Sequence, residues 1–153
     1  MRFPSAATLL LILLTPTLRA ALLAIDYGAE FTKLSLIKPG VPFDVVLDRD
    51  SKRKIQSVVG WKRDDRVFGQ EGKMAATRFP DAHFPYVKPL LGSTTYPNLA
   101  IYPVPPVANV DGSLIFPHPS APSHLSPPPT SPNEVWTPTA LLAHQLSYFR
   151  SLA

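Results

Sequence analysis

Residues 22–37 read LLAIDYGAEFTKLSLI. An apolar run from Leu22 to Ile25 closes on Asp26, Tyr27-Gly28-Ala29 follows, and from Phe31 to Ile37 apolar and polar residues alternate. Alternation with period two marks a strand with one buried face, and a glycine between two such runs supplies a tight turn. The stretch predicts two strands joined at Gly28. A turn of this kind, with backbone amides pointing outward, can hold phosphate oxygens. An aspartate at the strand end can hold a magnesium ion through its waters, because Mg²⁺ keeps much of its hydration shell. Asp-x-Gly after a strand is also what a plain hairpin looks like, and these residues alone leave both readings open.

Downstream the strand signals continue. Lys38-Pro39-Gly40 is a turn, Phe43–Leu47 a third strand, Ser57–Trp61 a fourth and Arg66–Phe68 a short fifth, with a charged loop at residues 48–54. From Gln70 the character changes. Residues 70–78 suit a two-turn helix closed by Pro80, and a second short helix is expected over 81–91, kinked by Pro85 and Pro89 and ended by Gly92. Ser113–Phe116 is a further strand. At the C-terminus Thr137 is a good N-cap and Pro138 fits the first helical position. Leu142, Leu146, Phe149 and Leu152 then recur along one expected face, with Leu141 beside them.

Prolines interrupt this order. The chain of 153 residues has 19 of them, 12 lying between Pro97 and Pro138. Proline donates no amide hydrogen and fixes φ, so that stretch excludes long helices and central strands. A helical bundle or a uniform sandwich over the whole chain is excluded with it. Pro103-Val-Pro-Pro106, Pro119–Pro122 and Pro127–Pro129 suit polyproline II ligands or an irregular insert. The chain has no cysteine, which excludes a disulfide scaffold, Cys-ligated metal and thiol catalysis.

Residues 1–20 read as a secretory signal peptide: Arg2, a nine-residue apolar run at 6–14, Pro16, and small residues at Ala20 and Ala21. The apolar run is well short of the roughly 20 residues of a membrane span. Without Arg2 and Arg19, 13 basic residues face 11 acidic ones, mixed along the chain rather than grouped. That balance gives no argument for nucleic-acid binding, and no membrane association is expected after the signal is removed. His83, His118, His124 and His144 lack metal-ligand spacing and read as surface or core residues. No Gly-x-Ser-x-Gly turn supports a serine hydrolase. Lys88, in YVKPLLG (residues 86–92), can bring a cation to a transferring phosphoryl group or stand as a solvated lysine.

Taken in order, AIDYGAEFTK (24–33), IKPGVPF (37–43), SKRK (51–54), VFG (67–69), YVKPLLG (86–92) and the Thr137-Pro138 helix resemble the start of a heat shock protein 70 superfamily ATPase domain. The segment at 38–42 and the signal peptide resemble its large endoplasmic-reticulum-lumenal branch, the glucose-regulated (hypoxia up-regulated) chaperones. The resemblance covers most of residues 22–153 and is weakest through 98–133. It implies an α/β, partial actin-like ATPase fold: the first half of lobe I, a mixed five-stranded sheet with short helices and a C-terminal amphipathic helix. The implied organisation is a signal peptide at 1–20, sheet and short helices at 21–96, a proline-rich irregular segment at 97–136 and the helix at 137–153. Asp26, Tyr27, Gly28 and Ala29 would then belong to the first phosphate-binding loop for ATP or ADP, Asp26 holding Mg²⁺ through water, and Lys88 would be the lysine that assists hydrolysis. Implied partners are unfolded polypeptides and the smaller lumenal chaperone, whose nucleotide exchange the large branch promotes.

Two departures qualify that expectation. Typical members continue the loop as Gly-Thr-Thr or Gly-Thr-Ser, where this chain has Gly28-Ala29-Glu30; hydroxyls are lost and a carboxylate appears beside an anion site. The family's Thr-Pro-Ser is here Ile55-Gln56-Ser57. The second phosphate loop, adenine pocket, lobe II and peptide-binding domain are expected beyond Ala153, so the chain reads as an N-terminal fragment without complete ATPase activity. The rival expectation is a small secreted proline-rich interaction protein, without enzymatic activity, that uses 97–138 as an extended ligand.

Overall fold

The computed structural model describes residues 20–62, 65–95, 99–116 and 135–153. The signal segment up to Arg19 and the proline-rich motifs at 119–129 lie outside the described residues. The quoted hairpin forms as its pattern requires: β1 (Leu22–Tyr27) pairs antiparallel with β2 (Phe31–Ile37), Ile25 opposite Leu34 and Tyr27 opposite Thr32. β3 (Asp44–Val46) continues the sheet on the other side of β2, and β4 (Ile55–Gln56) pairs with the start of β2. The chain then changes partners within a few residues. β5 (Val58–Lys62) leaves that sheet and becomes the centre of a second one, between β6 (Asp65–Phe68) and β7 (His83–Pro85). The expected single mixed five-stranded sheet is therefore two sheets, and every described strand pair is antiparallel. The switch at Ser57 is the cause, since one continuous run of chain serves two sheets.

Helix α1 (Gly69–Arg78) follows β6 directly, with Gly69 at φ +58° making the bend from strand to helix. The helix expected over 81–91 does not form. Pro80–Ala82 and Lys88–Leu90 are single 3₁₀ turns, and residues 83–85 between them are β7. Prolines at 85 and 89 cannot continue a helical ladder, while β5 offers backbone partners to His83 and Phe84. The pairing of His83 with Gly60 depends on the glycine. A Cβ at Gly60 would lie 2.1 Å from His83 Cδ2 and 2.8 Å from the Ala82 carbonyl oxygen. A short ribbon, β8 (Val107–Ala108) with β9 (Leu114–Ile115), and a bridge from Phe116 to Trp136 lead to the last helix.

Helix α2 (Pro138–Leu152) is capped as its sequence implies: Thr137 Oγ1 accepts the Ala140 amide at 3.1 Å, and Pro138 takes the first turn. Such a cap is worth about 1 kcal/mol. Its buried face differs from the expected leucine row. Pro138, Leu141, Gln145 and Phe149 face inward, Leu142 is half-buried, and Leu146 is 38% exposed. The face is turned because α2 lies against both sheets. Leu141 enters a core with Val59, Trp61, Phe84, Val87, Leu90 and Phe116. Phe149 enters a second core with Leu34, Val46 and Ile55 under the hairpin. Trp61 packs on Trp136 at 4.3 Å and edge-on to Phe84 at 6.0 Å, which closes the first core around aromatic contacts. Phe68 stacks on Tyr148 at 4.5 Å, tying the second sheet to the helix's last turns.

His83 is fully buried, its Nδ1 2.7 Å from the Phe79 carbonyl oxygen, and Nε2 meets no partner among the described residues. Nδ1 therefore carries the proton and donates. Burial holds the ring's pKa below its ordinary value, more than the hydrogen bond to Phe79 raises it.

Two outcomes follow from this packing. Phe149→Ala should destabilise the fold by about 3–5 kcal/mol, whereas Leu146→Ala should cost roughly 0.5 kcal/mol or less; urea unfolding of both variants checks the turned face. Because burial holds folded His83 below its ordinary pKa while the unfolded chain titrates near pH 6.5 (roughly), the unfolded state binds more protons around that pH. Stability should then fall on acidification through the ordinary histidine range. The slope, read from melting curves between neutral and mildly acidic pH, should flatten in His83→Gln.

Candidate functional site

The turn between β1 and β2 is built on backbone contacts. The Gly28 amide donates to the Phe31 carbonyl oxygen at 3.1 Å, closing a turn over 28–31 with Ala29 and Glu30 at its tip. Gly28 is required by closeness rather than by a left-handed φ: a Cβ there would sit 2.3 Å from the Phe31 oxygen. Ser57 supports the turn from below. Its Oγ donates to the Gly28 carbonyl oxygen at 2.9 Å, and its amide donates to the Glu30 carbonyl oxygen at 2.8 Å. Thr32 Oγ1 lies 2.8 Å from Ser57 Oγ. Since the serine proton is used on Gly28, Thr32 is the donor of that pair. Both hydroxyl residues are buried. Among the described residues, the amides of Ala29 and Glu30 meet no protein acceptor.

Lys88 comes to this turn from 61 residues away. Its Nζ donates to the Tyr27 carbonyl oxygen at 2.6 Å, and the side chain is exposed. The sequence around it explains the placement. Val87 and Leu90 are buried anchors in the first core, Tyr86 adopts a left-handed φ of 55°, and the 3₁₀ turn through Pro89 leaves Lys88 on the outer side. The structure thus brings Tyr27, Gly28 and Ala29 together with Lys88. Asp26 ends up exposed on β1, directly opposite Lys33 in the ladder.

Tyr27 points its ring the other way. Its hydroxyl donates to Gln145 Oε1 at 2.8 Å, its ring centroid is 6.4 Å from that of Phe149, and burial pushes its pKa up to about 12. Tyr27 is therefore a neutral anchor between the turn and α2. Ser57 and Gln145 are the members of this site that the sequence reading missed. A serine set between the apolar residues Ile55 and Val58, and a glutamine at a core position of a helix, are the signals that point to them.

No group of three or more His, Asp or Glu gathers to hold a metal ion among the described residues. Asp26 is a lone exposed carboxylate and does not make a metal site of its own. Two clefts, of about 520 and 1220 Å³, lie elsewhere, and neither is lined by Asp26–Ala29 or Lys88. The turn and Lys88 form an open surface with free amides and one cation. Chemically this surface can receive an anion. Pro103–Pro106, the described proline motif, is not a free ligand strand: Pro106 is fully buried.

No family model matches the chain. Individual relatives do. It is 50% identical over 72 residues to the heat shock protein 70 homolog lhs1 of Schizosaccharomyces pombe, a match covering 47% of this chain and 8% of that protein. It is 36% identical over 97 residues to human hypoxia up-regulated protein 1, covering 63% of this chain and 10% of that protein. Hypoxia up-regulated protein 1 of Xenopus laevis is 36% identical over 72 residues, 11% of its length. The chain spans about a tenth of the length of these curated relatives. The resemblance read from the short motifs is thereby borne out.

Removing the floor of the turn should be measurable. Ser57→Ala leaves the Gly28 carbonyl oxygen and the Thr32 hydroxyl without their buried partner, a cost of about 1–3 kcal/mol. Gly28→Ala should cost at least as much by opening the turn. Amide hydrogen exchange at Gly28 and Ser57 should speed up in Gly28→Ala and at Gly28 in Ser57→Ala, ahead of the rest of the sheet; exchange that stays uniform would show that the turn does not depend on these contacts.

Proposed function

On the premise that this chain carries heat shock protein 70 superfamily sequence of the large branch, we propose that it forms the first part of the nucleotide-binding lobe of an endoplasmic-reticulum-lumenal chaperone. The turn at 26–29 is its first phosphate loop in an actin-like ATPase fold. One observation carries this reading: Lys88 Nζ reaches the Tyr27 carbonyl oxygen at 2.6 Å, so the lysine expected to assist hydrolysis meets the turn expected to bind phosphate.

The roles follow from the chemistry of each group. The free amides of Ala29 and Glu30 would donate to phosphate oxygens, with Gly28 letting the turn close tightly against the Phe31 carbonyl oxygen. Lys88 exchanges its carbonyl partner for a phosphate oxygen, since an ammonium hydrogen-bonds more strongly to an anion than to a neutral carbonyl. Asp26 would hold a water of a magnesium ion bound with ATP or ADP, and the ion would supply neutralisation of phosphate charge. Tyr27, Ser57 and Gln145 hold the loop still. Phosphoryl transfer is accelerated by positioning and charge stabilisation, and one loop with one lysine leaves a nucleotide open to water. The chain alone accordingly binds phosphate weakly and does not turn over ATP. In the complete relative, ATP binding is coupled to unfolded polypeptides, and nucleotide exchange is promoted on the smaller lumenal chaperone.

The test is amide NMR of the purified chain with millimolar Mg-ADP. Shifts confined to Gly28, Ala29, Glu30 and the vicinity of Lys88 support the reading, and they should shrink in Lys88→Ala. Glu30→Thr, which removes a like charge from the anion site, should tighten binding several-fold, since about 1.4 kcal/mol is tenfold. Unperturbed amides at 28–30 would sink the phosphate-loop assignment. Magnesium-dependent ATP hydrolysis by the chain alone, lost in Asp26→Ala, would sink the claim that it is catalytically incomplete.

A further inference from the structure

The larger cleft, of about 1220 Å³, lies between the loop at 50–54 and helix α1, away from the phosphate turn. Its floor is apolar. Phe31 and Met74 are 37% and 65% exposed, and Ala75 and Phe79 complete the surface between them. Its rim is cationic. Lys52, Arg53 and Lys54 line one side and Arg78 the end of α1, all exposed, with Asp50 as the opposing carboxylate. Lys62 and Glu71 also line it but face each other at 3.5 Å, leaving the excess of positive charge to the loop and Arg78. None of Lys52, Arg53 and Arg78 makes an ion pair among the described residues.

The cations are held in place. The buried Asp48 accepts the amides of Asp50 and Lys52 at 2.9 and 2.7 Å, the Asp48 amide donates to the Lys52 carbonyl oxygen at 3.0 Å, and Ser51 takes a left-handed φ of 59°. Lys54 Nζ stands 5.9 Å from the centre of the Phe31 ring. A rigid rim loses less entropy on binding than a mobile one. An exposed methionine beside an exposed ring is a surface that repacks around varied apolar side chains.

We propose that this cleft docks an acidic peptide segment, one that lays apolar side chains on Phe31 and Met74 and carboxylates on the 52–54 rim and Arg78. Charge complementarity selects the sign of the partner. The floor selects its kind. The volume exceeds the roughly 300–1,000 Å³ of small-molecule pockets, and a methionine and alanine floor offers little to a phosphodiester chain, whose bases stack on aromatic faces. A peptide with alternating apolar and acidic residues satisfies both surfaces.

Fluorescence anisotropy of the purified chain tests this with four probes: a labelled twelve-residue peptide alternating glutamate with leucine or phenylalanine, its lysine counterpart, an oligothymidylate, and phosphatidylserine-containing vesicles. The acidic peptide should bind, the lysine peptide should not, and affinity should fall as salt rises toward about 0.3 M, where screening shortens to several ångströms. The Lys52→Glu/Lys54→Glu pair should weaken binding roughly tenfold or more, as should Met74→Asp, with circular dichroism confirming the fold. Arg53→Glu gives a second rim variant, and Lys38→Glu, a charge outside the cleft, should leave affinity unchanged. Equal binding of both peptides, tighter binding of the oligonucleotide or the vesicles, or indifference to rim reversal would overturn the proposal. Mg-ADP should not compete with the peptide, so failure here is distinguishable from failure of the phosphate loop.

Discussion

Helix α2 enters both hydrophobic cores, and the rest of the chain is arranged around that fact. Leu141 and Phe149 are eight residues apart, about 12 Å along the axis, which spans from one sheet to the other. Burying each contributes on the order of 1.5–3 kcal/mol. Neither sheet is large enough to be stable alone, since three or four short strands need a packing partner on one face. The helix supplies that partner to both at once. Between the two anchors sits Gln145, buried and bonded through Oε1 to the Tyr27 hydroxyl. An apolar residue there would strand the tyrosine hydroxyl in a dry site. The glutamine is therefore the link by which the helix fixes the end of β1 as well as its packing.

The same logic accounts for the switch at Ser57. β4 and β5 are one run of chain, and the residue between them must finish a ladder with one sheet while releasing the strand to another. Ser57 does this with both its polar groups: the amide completes pairing to Glu30, and the hydroxyl takes Gly28, with Thr32 donating in return. Its small side chain fits below the turn, between Gln56 and Val58. The two residues before it each keep one sheet in place: Ile55 serves the second core and Gln56 continues the pairing with β2.

How much of this was legible depended on whether the decisive contact was local. The hairpin was readable because alternation and glycine are local signals, and the cap of α2 because Thr137-Pro138 announces itself. The helix face was misread by about one position in four. Counting leucines puts Leu146 on the inner face and passes over Gln145, and nothing within the helix reveals that a tyrosine 118 residues away requires the amide. The region 81–91 was misread for a related reason. Helical propensity was weighed without the strand partner that β5 provides, and Gly60, which admits His83, reads in isolation as an interruption of a strand. Lys88 was singled out by motif, but its meeting with Tyr27 rests on burial of Val87 and Leu90 and a left-handed Tyr86, none of which spacing can reveal.

The contacts that shape the turn also explain how it tolerates unusual side chains. Gly28, Ser57, Phe31 and Lys88 all act on backbone atoms of the turn: a carbonyl, an amide, and the space a Cβ would fill. None of these contacts uses the side chains of Ala29 or Glu30. What Glu30 changes is the electrostatic field. A carboxylate near an anion site opposes binding by Coulomb repulsion that water and salt reduce but do not remove. The geometry of a phosphate-accepting turn and its affinity for phosphate are thus set by different atoms. A chain can retain the first while altering the second, and in the proposed phosphate loop Glu30 is the side chain that bears on the second.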